Sequence, residues 1–592
     1  INGFGGYLSA QDPGELTTAL RGALDDVAAR VTSSSSVAAN TTSIQTGTRV
    51  YQARFDSGNW TGQLLSYTLS AVGAVSGTFE WDAAAKLTAQ TAPSSDSRVI
   101  LTRNGGGVPF QWGSLSVAQQ NALRTPPAGG ALDAASVGQQ RLEYLRGWSA
   151  NEGSGVGQFR ARPVSKLGDI IDSNPWYVGQ PQAGYSDDDH PGYSAFRASW
   201  LTRKPVIYVG ANDGMLHGFD ASFDPVTNLP TATSGNEVLA YVPARLFGKL
   251  SKLTSQTYSS SHQYYVNSSP MVGDANFSST GADWKTVLVS GLGQGGQGYF
   301  ALNVTDPASF TETNAAALVL WEFTDQDDPD LGYTFNQPTV NPLNKLSAQI
   351  VRMNNNKWAV VIGNGYNNTE ADGNASTTGH AVLYILYLSN TFGGTWTLGT
   401  DYIKITTGSG TPASPNGLAT PLPVDTNGDG KVDLIYAGDL NGNMWKFDVS
   451  AATPASWGVA NAGSPLFAAP AGQPITSAPQ VFPHPNGGRM VLFGTGKFIE
   501  TADASGPFTT QALYGVWDNG TPVTLSDLVA QTVTSTVSGA GTSFRTVSTN
   551  VVNYTGSSPK KGWFMNLPAT GETVPFNTLI KSGLALYSSM IA

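Results

Sequence analysis

One stretch of this chain occurs twice. Ile207-Tyr-Val-Gly-Ala-Asn-Asp-Gly-Met-Leu-His-Gly-Phe-Asp220 aligns without gaps to Ile435-Tyr-Ala-Gly-Asp-Leu-Asn-Gly-Asn-Met-Trp-Lys-Phe-Asp448, with Ile, Tyr, both glycines, Phe and the closing Asp coincident. Each copy reads as an apolar strand ending in Gly, a Gly/Asn turn and a second apolar strand. Weaker copies run from Val287 to Leu302, Ala359 to Leu386 and Met490 to Val516. A short Pro-containing strand precedes each, at Pro175, Pro270, Pro338, Pro421 and Pro479. The markers are unevenly spaced, so insertions between them are large. Repeated antiparallel sheets of this kind close most readily into a β-propeller, which leaves only short, protected edges. The expected fold is therefore mainly β: a modified propeller of six to eight irregular blades, with an N-terminal helix and large loop insertions.

Composition agrees with that reading. Among 592 residues there are 68 Gly and 14 Trp, and only 12% are charged, a mixture that suits short strands joined by turns rather than helical bundles or disorder. A net charge of −10 without a basic stripe argues against nucleic acid as a partner. The absence of cysteine removes disulfides, thiolate nucleophiles and zinc–thiolate sites. No apolar run approaches the roughly 18–20 residues of a transmembrane segment. A surface rich in Ser, Thr, Asn and Gly leans extracellular.

Three regions are expected. Residues 1–36 hold a helix, opened by Asp12-Pro-Gly-Glu15 and carrying Leu16, Leu20, Leu24, Val27 and Val31 on one face, followed by a Ser-rich linker. This reads as the tail of an upstream domain, and the start at Ile1 as the mark of a portion of something longer. Residues 37–165 are a β-rich segment leading into the propeller, locally helical over 115–148 through Val117, Leu123, Leu132, Leu142 and Leu145. Residues 166–592 are the propeller.

The chemistry concentrates in Asp425-Thr-Asn-Gly-Asp-Gly-Lys-Val-Asp433. Asp425, Asn427, Asp429 and Asp433 stand at positions 1, 3, 5 and 9 of a tight loop, Gly430 at the sharp turn of position 6, and Lys431 offers its carbonyl at position 7. Converging hard oxygen donors of this kind suit Ca²⁺. Tyr436 replaces the bidentate Glu of an EF-hand, and Leu434-Ile-Tyr-Ala437 reads as strand, so this is a calcium loop between β-strands; a polar turn without metal is the alternative.

Other features carry less. Gly291-Leu-Gly-Gln-Gly-Gly296 matches the dinucleotide fingerprint, but a strand follows it and no helix, so it reads as a hairpin turn. Asp325, Asp327, Asp328 and Asp330, like Asp187-Asp-Asp-His190, read as solvated loops, with a second cation site at 325–330 left open. The five histidines (190, 217, 262, 380 and 484) show no metal spacing, and His217 reads as a half-buried packing residue. Trp60, Trp176, Trp445 and Tyr264-Tyr265 read as packing between blades rather than sugar platforms. No nucleophile elbow or acid/base pair is present, so no catalytic or cofactor-binding residue is expected and the chain is not read as an enzyme.

The chain resembles the PilY/PilC family of type IV pilus tip adhesins and biogenesis factors. The resemblance rests on Tyr51-Gln-Ala-Arg-Phe, Trp60-Thr-Gly-Gln-Leu, Leu145-Arg-Gly, Phe159-Arg-Ala-Arg, Leu167-Gly-Asp-Ile-Ile-Asp-Ser-Asn-Pro175, Val209 to Phe219 and the calcium loop. It implies a modified propeller with one EF-hand-like loop, here Asp425, Asn427, Asp429, Lys431 and Asp433. It also implies an extracellular protein at the pilus tip that contacts minor pilins and a host or abiotic surface ligand, and supports assembly against retraction, adhesion and twitching. Members usually carry an upstream von Willebrand A-like domain, whose DxSxS motif is absent from this sequence, as is Arg-Gly-Asp. The rival readings are a generic extracellular calcium-dependent propeller adhesin or lectin-like module and, further off, a quinoprotein dehydrogenase.

Overall fold

The computed structural model describes residues 34–592 except 40–47, 71–73, 279–280, 342–345, 390–391, 540–541 and 582–583. The Asp12–Val31 helix lies outside the described residues. The chain divides into two compact units. The first comprises Ile1–Asp187, Gly192–Asp274 and Trp284–Thr324; the second comprises Asp188–Pro191, Ala275–Asp283 and Asp325–Ala592. Among the described residues, no helix is long and apolar enough to cross a membrane.

All five hairpins read from the repeat are present and antiparallel. The two strongest copies share register as well as sequence: Ile207 pairs with Phe219 and Gly210 with Leu216, as Ile435 pairs with Phe447 and Gly438 with Met444. Their faces also match. Ile207, Val209 and Phe219 pack with Tyr51, Leu64 and Trp81, whereas Tyr208 and Leu216 turn to a core with Val272 and Leu288. In the second unit Ile435, Ala437 and Phe447 pack with Val361 and Ile385, whereas Tyr436 and Met444 turn to Val491 and Tyr514. A strand buried on both faces must be apolar at every position, and the period-2 pleat sends alternate residues to the two neighbouring sheets.

The glycine that ends each of these strands has a steric cause. A methyl group on Gly210 would sit 2.3 Å from the Val266 carbonyl oxygen, and one on Gly438 would sit 2.2 Å from Ile475 Cγ2. The next segment of chain passes over the strand end at a separation that no Cβ permits.

In the first unit, a four-stranded sheet runs Ser34–Ala39, Arg49–Asp56, Thr61–Thr68, Trp81–Asp82. The supposed Ser-rich linker thus enters a strand at Ser34. A six-stranded sheet follows, in the order Gly106–Pro109, Ile100–Asn104, Glu237–Tyr241, Met215–Asp220, Val206–Ala211, Trp176–Val178. Strands from the stretch set apart as 37–165 therefore belong to the same sheet as the first repeat, with Ile100 joined in parallel to Ala240. The third sheet is the meander Met271–Asn276, Trp284–Gly291, Gly298–Asn303, Val319–Thr324. The fingerprint-like Gly291–Gly296 is the tip of one of its hairpins, as expected.

The helical reading over 115–148 resolves into Val117–Arg124 and Ala135–Leu145. Ser116 caps the first in a capping box with Gln119. Leu123, Leu142 and Leu145 are buried, but Val117 and Leu132 are exposed, because Val117 occupies the solvent side of the first helical turn and Leu132 the connection between helices.

The second unit carries sheets built on Ile350–Arg352, Trp358–Gly363, Val382–Leu388 and Tyr402–Thr406; on Leu422–Val424, Leu434–Gly438, Asn443–Asp448 and two short partners; and on Gln480–Pro483, Arg489–Gly494 and Ala512–Asp518 with Gly562–Asn566 and Val529–Gln531. The described residues thus hold six sheets of four or more strands.

Candidate metal centre

Strands Leu422–Val424 and Leu434–Gly438 pair antiparallel with Val424 opposite Leu434, and the nine-residue loop 425–433 closes them. Its path is written in Asx hydrogen bonds. Asp425 Oδ1 accepts from the N–H of Asn427 (3.1 Å) and Gly428 (2.7 Å), and its Oδ2 from Gly430 (2.9 Å). Asn427 Oδ1 accepts from the Asp429 N–H at 2.9 Å, and Asp429 Oδ1 from the Lys431 N–H at 3.0 Å. Gly428 and Gly430 take φ of +82° and +77°, which only glycine adopts without strain. Each side-chain oxygen at positions 1, 3 and 5 so holds a backbone N–H ahead of it, while carboxylates accept further partners through their remaining lone pairs.

Asp433 differs. It is buried, its Oδ2 takes both the N–H (2.9 Å) and hydroxyl (2.6 Å) of Thr426, and its Oδ1 lies 3.3 Å from Asn354 Nδ2. Asp429 is 41% exposed, and the Lys431 ammonium stands 3.8 Å from it. Among the described residues, no three or more His, Cys, Asp or Glu groups are gathered closely enough to hold a metal by themselves. The three carboxylates of the predicted donor set, Asp425, Asp429 and Asp433, are thus not drawn into such a cluster; the set also counts the Asn427 amide and the Lys431 carbonyl. It offers only oxygen and no nitrogen or sulfur ligand, and that chemistry fits a hard cation such as Ca²⁺.

The surroundings clamp the loop, and sequence reasoning did not find them. Arg489, on a strand of the next sheet, donates to the Thr426 carbonyl at 3.0 Å. Asn354 donates to the carbonyls of Val432 (2.7 Å) and Val449 (3.1 Å). Val432 donates to the Arg352 carbonyl at 3.0 Å, and Arg352 reaches the Asp189 carbonyl at 2.6 Å. His190 is buried, with its ring 5.9 Å from that of Trp358 and its edge against Gly430. The reading of Asp187–His190 as a solvated loop is therefore corrected at His190. Burial and the nearby Arg352 guanidinium hold its imidazole below the ordinary value. Only a histidine-to-glycine complementarity across some 240 positions could have signalled this contact, and one sequence does not display it.

The acidic cluster is also corrected. Asp325, Asp328 and Asp330 are buried. Asp328 accepts from Tyr384 and Tyr402 (each 2.9 Å), Asp330 from Ser376 and Thr378, and the Lys404 ammonium lies 2.7 Å from both Asp328 and Asp330. An internal lysine thus stands where a second cation would. Burial opposes charge on Lys404, but the two carboxylates win and raise its pKa; Lys404 and the two hydroxyls likewise outweigh burial and hold Asp330 low.

His217 is fully buried rather than half-buried. Its Nδ1 lies 2.7 Å from Glu237 and its Nε2 3.1 Å from Asp213, and Arg98 grips Glu237 through Nε (2.5 Å) and Nη2 (2.9 Å). Burial pushes the imidazole down, but Asp213 and Glu237 prevail and raise it to about 9. Trp445 and Tyr265 are buried as expected of packing residues, Trp60 and Trp176 are partly so, and Tyr264 is half-buried.

Blade-like antiparallel sheets, one carrying an acidic Asx loop between two of its strands, define a protein of the β-propeller class. A family model described as the PilY1 beta-propeller domain matches residues 167–540, more than half of the chain. The chain belongs to the PilY1 family. The type IV pilus biogenesis factor PilY1 of Pseudomonas aeruginosa strain PAK is 36% identical over 99% of this chain and 50% of its own length. A PilY1 homolog of Xylella fastidiosa is 33% identical over 88% of this chain and 35% of its own. The chain thus spans half or less of these relatives. The crystal structure of the Pseudomonas aeruginosa PilY1 C-terminal domain is similar at a TM-score of 0.55 and 34% identity, over 70% of this chain and 83% of that one.

Proposed function

We propose that this chain is a calcium-binding, pilus-tip-associated part of a type IV pilus biogenesis factor. It acts outside the cell by contact with minor pilins, promotes pilus assembly against retraction, and serves adhesion to a host or abiotic surface ligand and twitching motility. It works by binding rather than by catalysis. The single observation that carries the calcium reading is the 425–433 loop, whose side-chain oxygens at positions 1, 3 and 5 are held by Asx turns between two strands, with the Lys431 carbonyl and Asp433 following at positions 7 and 9 of the sequence. The names of the relatives support the pilus context.

Ca²⁺ would supply the positive charge that turns repulsion among Asp425, Asp429 and Asp433 into coordination, with Asn427 and the Lys431 carbonyl completing the set. The protein's own residues do the rest. Asn354 and Arg489 tie the loop to neighbouring strands, so order in the loop is shared with the sheets that a partner would touch. Asp425→Ala with Asp433→Ala, placed in the full-length protein, should reduce surface pili in cells able to retract them and much less in retraction-deficient cells. Unchanged pilus number, adhesion and twitching in both backgrounds would overturn the reading.

A further inference from the structure

A cavity of about 50 Å³ lies within the first unit, far in sequence from the calcium loop. Segments 60–64, 145–147, 159–162, 167–169 and 209–219, which carry the sequence resemblance, each contribute a residue to its wall. Its most telling residue is Arg160. The Arg160 backbone N–H is fixed to the Thr254 carbonyl at 3.0 Å, its Nε lies 3.3 Å from the Tyr144 hydroxyl, and its guanidinium sits 4.3 Å above the Tyr258 ring. These contacts aim the side chain without neutralising it. Among the described residues no carboxylate pairs with it.

The rest of the wall adds to this positive charge. Arg162 and Lys166 share one carboxylate, Glu152, at 2.7 and 2.8 Å. Burial would raise Glu152, but these two cations hold it below its ordinary value, so it is ionised and already spent. Asp213, on the opposite wall, is spent on His217 and on the Gly168 N–H at 2.8 Å. Trp60 closes one side in a left-handed conformation (φ +51°) that a bulky residue rarely adopts. It is held there by its indole N–H on the Ser259 carbonyl at 2.9 Å and by stacking on His262 at 3.7 Å.

We propose that this cavity receives a carboxylate, with Arg160 as the residue that grips it. A guanidinium presents paired N–H groups that match two carboxylate oxygens, and a cavity of about 50 Å³ admits such a head group while Trp60 and Tyr258 flank what carries it. A carboxylate on a sugar ring and one on an amino acid share this chemistry. The test uses the whole chain, calorimetry and saturation-transfer NMR, with galacturonate, N-acetylglutamate, neutral galactose and inorganic sulfate as probes. At least one carboxylate should bind, and the stronger of the two identifies the source; galactose should not bind, and sulfate should bind more weakly. Arg160→Gln should weaken binding roughly tenfold or more at an unchanged melting temperature. Arg160→Lys, which keeps the charge but loses the fork, should fall between, and it decides the matter if the Gln variant does not fold. No carboxylate binding at tens of millimolar, sulfate binding best, or equal affinity in the folded variants would overturn the proposal.

Discussion

His190 and Gly430 meet edge to backbone: a methyl group on Gly430 would lie 2.7 Å from His190 Cε1. The position is closed twice, by the imidazole and by a φ of +77°. The imidazole could swing aside, but the backbone angle could not relax without unmaking the Asp425 and Asp429 turns. Gly430→Ala should therefore cost about 1–2 kcal/mol in chemical denaturation and weaken calcium binding by calorimetry. His190→Ala combined with Gly430→Ala should recover only the part due to contact.

Asp429 and Asp433 should separate ligation from architecture. Asp429 is half-exposed and accepts one N–H within the loop, whereas Asp433 is buried and holds Thr426 twice and Asn354. Asp429→Ala should leave the melting temperature in chelator unchanged and reduce calcium affinity. Asp433→Ala should lower stability by about 1–3 kcal/mol even in chelator, because buried donors lose their acceptor. Identical behaviour of the two variants in chelator would contradict this division.

His217 makes the first unit's stability depend on pH. Its pKa in the folded chain, about 9, lies above the ordinary 6.5, so its stabilisation is complete below about pH 6.5 and drains away as pH rises through 9. Burial raises Asp213 and Glu237, but His217 and Arg98 hold both below their ordinary values, so their share is present above the carboxylate range and disappears in acid. Denaturation at pH 6.5 and 9.5 should differ by on the order of 3 kcal/mol from this site. His217→Gln should flatten that difference.

Lys404 is the internal counter-charge of Asp328 and Asp330. Lys404→Met leaves both carboxylates buried without a cation and should cost about 2–4 kcal/mol, less than a fully buried pair because the lysine is 21% exposed. Asp328→Asn with Lys404→Met should recover part of the loss in thermal melts.

The hairpins and the loop path were legible because each rests on residues close in sequence: an apolar run, a glycine, and an Asx side chain two to five positions from the N–H it holds. What was missed rests on partners far apart. Asp328 and Asp330, in a connection between sheets, look solvated until Tyr384, Tyr402 and Lys404 arrive from strands Val382–Leu388 and Tyr402–Thr406. His217 looks like a packing residue because Arg98 and Glu237 are remote from it in sequence. The extension of the sheet around Val206–Ala211 beyond Glu237–Tyr241 was likewise hidden, since the parallel partner of the latter strand, Ile100–Asn104, lies far upstream in the sequence. Charge on a single sequence does not say with whom it will be neutralised.

The bare strand ends at Gly210 and Gly438 act as a gauge. Where the following segment crosses, the clearance is set by a hydrogen atom, whereas the intervals between the Pro markers differ widely in length from one sheet to the next. Evolution on this scaffold would then proceed by loop growth with almost no drift at the crossings. In a saturation-mutagenesis map these glycines should be among the least tolerant positions, for a steric reason internal to the fold.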